Sequence, residues 1–440
     1  ALLSVLFSAI ALPLLYHVTL SVLEDQVVAW SAALLLLASP LALYYGSVGL
    51  TYAPEMTMSI GVAGLAWRAR TRAGAGMAIW LGITLGVAGG LRQTTLLVLL
   101  PVCVWALWGG EGKQWVGFTA ALVSACSAWL VPLLVMSGGL DVYLRESALL
   151  AEVASRQTSL LAGGIQGVGN NLFFGAIGLL LGLGFALVPL GVWASRALRF
   201  SLSRNLRGFI AWWSAPGLVF FAVTHLGQYG YLLVVLPPLL IMSALCLRVV
   251  GETAGRTWQR LSAQSVSIAF SATLALMSLA YFLTSPGPIT GANIRGNHAH
   301  WEATRQALMT MDPSTTVLVM QADWYSPFRL AGYLLPDFRA YAIGRERPGD
   351  KESQGWLYSA HGGVSSYRLP HPQPEQTLIL PANTRRVVAL DSETASMLAR
   401  RNQPRPVSLS DGSTLYMLES PQTPIKRLTI SGDGIEVSSE

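Results

Sequence analysis

The chain has 440 residues, of which 52% are hydrophobic and only 12% charged, with a mean hydropathy of +0.48. That composition suits no soluble protein of this length. The net charge of +6 is not a nucleic-acid signature, because residues 1–284 hold 14 basic and 8 acidic residues while 285–440 hold 15 of each; the excess sits between apolar segments, where it meets anionic lipid.

A helix of about 20 apolar residues crosses the hydrocarbon core. On that measure spans are expected near 1–22, 27–45, 55–67, 74–90, 94–108, 115–137, 169–195, 208–224, 230–247 and 264–284. Arg68, Arg70, Arg72, Lys113, Arg196, Arg199, Arg204, Arg207, Arg248, Arg256 and Arg260 fall on one set of connections, and Arg92, Arg145 and Arg156 on the other. Basic loops stay in the cytoplasm. The loops at 46–54, 91–93, 138–168 and 225–229, and everything after 285, are therefore expected outside. Cys103, Cys126 and Cys246 lie in predicted spans and read as small core residues. The first methionine is Met56, and residues 1–22 lack a basic n-region and a cleavage site. With the first span starting outside, a further helix and an external loop are expected upstream of Ala1.

After Phe282, Ser285-Pro286-Gly287-Pro288 ends the last span and the composition becomes ordinary. A helix is expected near 301–311 and apolar strands at 316–320, 377–380 and 386–390, with 343–375 as a loop. Asp391 stands where an N-cap belongs, before a helix to about 401. Strands near 406–409 and 413–418 flank Asp411-Gly412, a hairpin turn signal. The fold class is thus a polytopic α-helical membrane protein of about ten transmembrane helices (1–284) with a C-terminal soluble α/β domain (285–440).

The spans are nearly free of ionisable residues, which argues against an ion-coupled transporter. Charge gathers instead at the outer helix ends. Glu55, just after Pro54, reads either as a helix-start acid favoured by the dipole or as a site carboxylate. Arg92, an outward arginine beside Gln93 and Thr94, suits a phosphate at headgroup depth or simple snorkelling to lipid. Within 138–168 an amphipathic interfacial helix is expected. Its Arg145 and Arg156 could meet a substrate phosphate, or pair with Glu146 and Glu152 in the same loop. His225, Gln228, Tyr229 and Tyr231 cluster in another outer turn, as belt aromatics or as contacts to substrate. His298 and His300 lack a third ligand, so no metal site is identified, although a divalent metal is not excluded by chemistry. No Ser-His-Asp order, Walker loop or dinucleotide fingerprint occurs.

The run Ala32-Ala33-Leu34-Leu35-Leu36-Leu37-Ala38-Ser39-Pro40, then Tyr44-Tyr45-Gly46 and Thr51-Tyr52-Ala53-Pro54-Glu55, resembles outer segments of the GT-C glycosyltransferases, such as protein O-mannosyltransferases and the lipid A aminoarabinose transferase. Arg92 followed by Leu96-Leu97-Val98-Leu99-Leu100-Pro101 is similar to their basic-then-apolar-Pro element. Tyr229-Gly230-Tyr231-Leu232-Leu233-Val234-Val235-Leu236-Pro237-Pro238 is similar to their late Tyr/Leu-Pro helix, and Phe328-Arg329-Leu330-Ala331-Gly332-Tyr333-Leu334-Leu335-Pro336-Asp337 to a tail motif of such proteins.

The resemblance implies transfer of a sugar from a polyprenyl-phosphate carrier to a lipid, glycan or protein acceptor, at the outer face of a bacterial inner membrane. It implies Glu55 as a supporting acid and Arg92, with Gln93, Arg145 or Arg156, on the donor phosphate. The principal base of such enzymes lies in their first external loop, expected upstream of Ala1, so the chain alone is expected to be inactive. No nucleotide site is required. Two other classes share these features: a non-catalytic lipid-linked sugar translocase or polysaccharide-assembly protein, and a membrane-anchored binding module.

Overall fold

A computed structural model describes residues 2–72, 74–155, 159–194, 202–257, 262–321, 331, 334–343, 354–359, 363–368, 375–431 and 434–439. The chain forms two compact units, Ala1–Ile294 and Arg295–Glu440.

The first unit is helical: α1 (Leu2–Leu23), α2 (Gln26–Leu37), α3 (Pro40–Ser47), α4 (Tyr52–Thr71), α5 (Ala75–Leu91), α6 (Gln93–Leu107), α7 (Gly112–Met136), α8 (Leu140–Ser155), α9 (Leu160–Leu183), α10 (Leu187–Ala194), α11 (Arg204–Val223), α12 (Leu236–Thr257), α13 (Ala263–Thr284) and the first part of α14 (Gly291–Leu308). Local chemistry sets several boundaries. Asp25 opens α2 by accepting from the amides of Val27 and Val28, and its second oxygen receives Arg248 Nε at 2.9 Å, joining this turn to α12. Ser39 caps α3, whose first residue, Pro40, cannot continue the hydrogen-bond ladder of α2. The expected span 27–45 is therefore two helices bent by 55°.

Among the described residues six helices are long and apolar enough to cross a bilayer, or seven with the bent α2–α3 pair. The other three expected spans, α4, α5 and α6, form helices but fall short of that measure, for physical reasons. At 17 and 15 residues, α5 and α6 are shorter than a full crossing. In α4 the apolar character is diluted by Glu55, Thr57 and Ser59, all buried within the bundle. The expected span 169–195 starts earlier, at Leu160, and the interfacial helix expected in 138–168 is α8.

Lipid decides how these helices meet. Only Gln114 and Phe118 of the 25 residues of α7 are buried, so an almost wholly apolar rod faces outward, as only a hydrocarbon solvent tolerates. Helices in that solvent gain little from hiding apolar surface and rely on close packing. A stripe of Gly82, Gly86 and Gly90 on α5 provides it: a Cβ at these positions would lie 2.4 Å from the Phe118 carbonyl, 2.5 Å from Ala125 Cβ and 2.9 Å from the Trp129 ring. Trp129 Nε1 donates to the Gly86 carbonyl at 3.0 Å across the same seam.

The second unit carries a seven-stranded sheet of order β4-β3-β2-β1-β6-β8-β7 and a three-stranded sheet of order β10-β9-β5. The strands are β1 (Thr316–Gln321), β2 (Arg339–Ile343), β3 (Gln354–Ser359), β4 (Gly363–Arg368), β5 (Glu375–Ile379), β6 (Arg386–Ala389), β7 (Arg405–Ser408), β8 (Thr414–Glu419), β9 (Arg427–Ser431) and β10 (Gly434–Ser438). β1 pairs in parallel with β2 and β6, and the outer pairings are antiparallel. Asp391 caps α15 (Ser392–Arg401), accepting from the Thr394 amide and hydroxyl, and also from the Gln321 amide at the end of β1. Two expectations are corrected. Residues 343–375 are not all loop, since β3 and β4 pair there, and the helix expected from 301 begins at Gly291. Their polar composition hid both from an apolar-pattern reading. Half of the Phe328–Asp337 motif lies outside the described residues.

Because α7 abuts bare backbone at Gly86, Gly86→Leu should destabilise the bundle by about 1–3 kcal/mol through overpacking. Loss of helical circular dichroism on heating in detergent measures it, with Trp80→Leu on the exposed face of α5 as the unperturbed control.

Candidate functional site

Three chain segments meet at one end of the helical unit: the start of α4, the break between α5 and α6, and the turn leading into α12. Successive helices run antiparallel, so each segment returns to that end.

Arg92 is the break itself. Its backbone is extended, with φ −160° and ψ 122°, and its amide still closes the last turn of α5 on the Ala88 carbonyl at 3.2 Å. Gly89 makes the sharp return possible, since a Cβ there would meet the Leu96 side chain at 2.5 Å. Glu55 lies in the first turn of α4 and is 2% exposed. Its Oε1 accepts from the Thr51 hydroxyl at 2.9 Å and faces Arg92 Nη1 at 3.6 Å.

Aromatic faces complete the enclosure. The Arg92 guanidinium carbon is 3.7 Å from the Tyr231 ring centroid and 5.2 Å from that of Tyr52, in the range where the ring quadrupole attracts a cation. Tyr231 sits on a 3-10 turn, Tyr229–Val234, and stacks on Phe221 with centroids 5.5 Å apart. Tyr52 donates its hydroxyl to Gln228 Oε1 at 2.8 Å. Its ring lies so close to residue 230 that a Cβ there would be 2.5 Å from it, which explains Gly230. Asn171 of α9 pins the turn: its Nδ2 donates to the Ala222 carbonyl, and its Oδ1 accepts from the Leu226 amide, each at 3.1 Å.

Of the residues singled out in the sequence, the structure joins Glu55, Arg92, Gln228 and Tyr231 in this cluster. His225 lies beside it, its ring 6.2 Å from Tyr231. Burial, and next the nearby Arg92 charge, hold this imidazole below its ordinary pKa. Tyr229 turns away against Phe174, with centroids 6.3 Å apart. Gln93 reaches the Tyr143 hydroxyl on α8 instead of sharing a ligand with Arg92. Arg145 is exposed on the same helix, and Arg156 lies outside the described residues. Among the described residues no group of three His, Cys, Asp or Glu could hold a metal; His300 instead bonds Asp411 and Ser413, at 3.1 Å each.

Sequence reasoning missed Tyr52, Tyr143 and Asn171. A polar amide within the apolar run 169–195 was a usable signal, because burying one without partners is costly. The pairing of Tyr52 with Gln228 across 176 positions left no local trace.

Chemically, the cluster is a guanidinium held between one carboxylate and two ring faces. Arg92 remains 22% exposed, and its N–H donors not directed at Glu55 can receive an anionic oxygen.

No protein-family model matches the sequence, and no curated protein is similar to it. Among solved structures the chain is similar to ArnT from Cupriavidus metallidurans bound to undecaprenyl phosphate, with a TM-score of 0.55 and 15% identity, covering 96% of this chain and 85% of that one. The apo state of the same protein gives a TM-score of 0.52 and 14% identity, with coverages of 96% and 84%. The chain shares the fold of these two structures. In this bundle the Arg92 cluster is built by elements distant in sequence, so its parts should couple energetically.

Glu55→Gln leaves a half-buried guanidinium without its counter-charge. It should cost on the order of 2–3 kcal/mol, less than for a fully buried pair because Arg92 keeps some solvent. Adding Arg92→Gln should recover part of that loss in a thermal double-mutant cycle, and strict additivity would show the pair to be uncoupled. Arg92→Gln should also raise the His225 pKa partway toward its ordinary value, since burial remains; proton-dependent shifts of labelled histidine in micelles report it. A histidine held low stabilises the fold above the ordinary imidazole pKa, and that contribution declines as pH falls through it.

Proposed function

We propose that this chain is a glycosyltransferase that moves a sugar from a polyprenyl-phosphate carrier to a lipid, glycan or protein acceptor at the extracytoplasmic face of a bacterial inner membrane. One observation carries the reading. Arg92, caged by Glu55, Tyr52 and Tyr231, stands at one end of a bundle whose fold is shared with a protein described as bound to undecaprenyl phosphate. The distribution of arginine over alternate loops supports placing that end outside. By the same distribution the second unit is extracytoplasmic.

In this reading the acceptor oxygen attacks the anomeric carbon and loses its proton to a base. The bond between that carbon and the phosphate oxygen breaks, and its electron pair leaves with polyprenyl phosphate. Arg92 meets the charge that grows on the departing phosphate. Arg145 assists from α8, which Gln93 tethers through Tyr143. Glu55 supports the site by holding Arg92 through Oε1, which also accepts from Thr51. His225, Gln228 and Tyr231 stand beside Arg92 and would contact the substrate there, whereas Tyr229 faces Phe174.

The test is consumption of a radiolabelled polyprenyl-phosphate sugar by the protein in liposomes supplied with envelope lipid and glycan acceptors. Arg92→Ala should lower it by about 10²–10³-fold, the loss typical of one charge-stabilising donor, and Glu55→Gln by about tenfold. Wild-type consumption by a folded Arg92→Ala protein would overturn the assignment. Labelled sugar that crosses the bilayer without being consumed would make the protein a translocase.

A further inference from the structure

A cavity of about 840 Å³ opens where the last turn of α4, the last turns of α6 and the start of α11 come together. Arg70 follows Glu55 by about four turns of α4, so this cavity lies roughly 22 Å along that helix from the Arg92 cluster. It belongs to the opposite end of the bundle and plays no part in the transfer proposed above.

Its lining is specific. Arg70 and Arg204 both reach it, and among the described residues no carboxylate does. Arg70 lies over the Trp105 ring, 5.6 Å from its centroid, and donates to the Trp108 carbonyl, which aims the guanidinium and leaves further N–H groups free to donate. Arg204 is the exposed first residue of α11, where the helix dipole adds to its attraction for an anion. Gly208 stands one turn on, and a Cβ there would be 2.8 Å from Trp105 Nε1, so the indole forms a flat floor against bare backbone. Trp108 and Trp212 at the rim are 71% and 48% exposed, as suits rings at headgroup depth. Leu100 and Val104 continue the wall as an apolar strip along α6.

A free anion would need only the two arginines. The apolar strip and three indoles match a ligand with a charged head and a hydrocarbon tail. We propose that this cavity binds one anionic phospholipid of the bilayer, its phosphate between Arg70 and Arg204 and an acyl chain against Leu100 and Val104.

The experiment is native mass spectrometry of the full chain released from detergent with phosphatidylglycerol or phosphatidylcholine of the same acyl chains. Wild-type protein should retain phosphatidylglycerol in preference. The Arg70→Ala, Arg204→Ala double variant should bind it about thirtyfold more weakly, which corresponds to about 1 kcal/mol for each arginine near a phosphate. Arg70 also braces Trp108, so Arg204→Glu alone, at an exposed position, serves as the second variant once its helical circular dichroism matches wild type; it too should lose the preference. Equal retention of phosphatidylcholine, undiminished phosphatidylglycerol on Arg204→Glu, or displacement of the lipid by millimolar inorganic phosphate would each overturn the proposal, the last by showing a plain phosphate site.

Discussion

A guanidinium withdrawn from water at a helix break governs the architecture of the first unit. The cost of burying such a charge unpaired reaches several kcal/mol, and it falls only when an opposite charge and polarisable surfaces are brought to it. Glu55 supplies the charge from α4, Tyr52 a surface from the same helix, and Tyr231 a second surface from the turn before α12. Each donor segment then needs its own support. Gly89 lets α6 fold back beside α5, Gly230 lets Tyr52 lie flat on the turn, and Asn171 ties that turn to α9. One cation therefore sets the register of four helices and a turn, in a solvent where apolar contact alone would let them slide.

The remainder of the bundle follows from the same solvent. Hydrocarbon does not reward hiding leucine, which is why α7 fully buries only Gln114 and Phe118 and leaves its other residues partly or wholly exposed. What it rewards is close approach and satisfied polar groups. Buried hydroxyls accordingly cross between helices: Ser39 donates to the Gly182 carbonyl at 2.5 Å, Ser59 to the Val234 carbonyl at 2.8 Å, and Ser271 to Ser31 at 2.8 Å. Trp213, fully buried, completes such a link through its Nε1 to Ser59. The Ser59 links join α4 to α11 and to the turn before α12, elements that carry the charged clusters.

Much of this was legible from composition. Apolar runs located most helices, and Asp391 and the Asp411-Gly412 turn located the ends of elements in the second unit, where Gly412 has φ +85°. Such features are local, and local physics writes them into neighbouring residues. Glu55 and Arg92 were conspicuous because ionisable residues are rare in this setting, yet that they pair with each other is a tertiary fact. So is the parting of Tyr229 from Tyr231, two positions apart, which depends on a 3-10 turn that no apolar period announces. Each expected span does fall on a helix, but that α5 and α6 are shorter than a full crossing, and that α4 buries Glu55, Thr57 and Ser59, depends on neighbours that a window sliding along a chain does not see. β3 and β4 were missed because their pairing partners, not their own composition, make them strands.

The pairing of Arg92 with Glu55 bears on what the cation can recognise. A lone arginine at headgroup depth would bind whichever lipid phosphate came near, and the bilayer offers a vast excess of them. Paired and caged, Arg92 has one side taken by a carboxylate at 3.6 Å and another by a ring at 3.7 Å, so an incoming anion must approach through the face that remains. It must also bring enough charge to share a cation that is already neutralised. Those two demands penalise weak, diffuse encounters with bulk headgroups and leave a preference for a phosphate presented in one direction. The opposite end of the bundle shows the contrasting design: Arg70 and Arg204 line a cavity with no carboxylate beside them among the described residues. In the readings proposed above, the same residue type would serve selective phosphate recognition with a counter-charge at one end of the bundle and general recognition without one at the other.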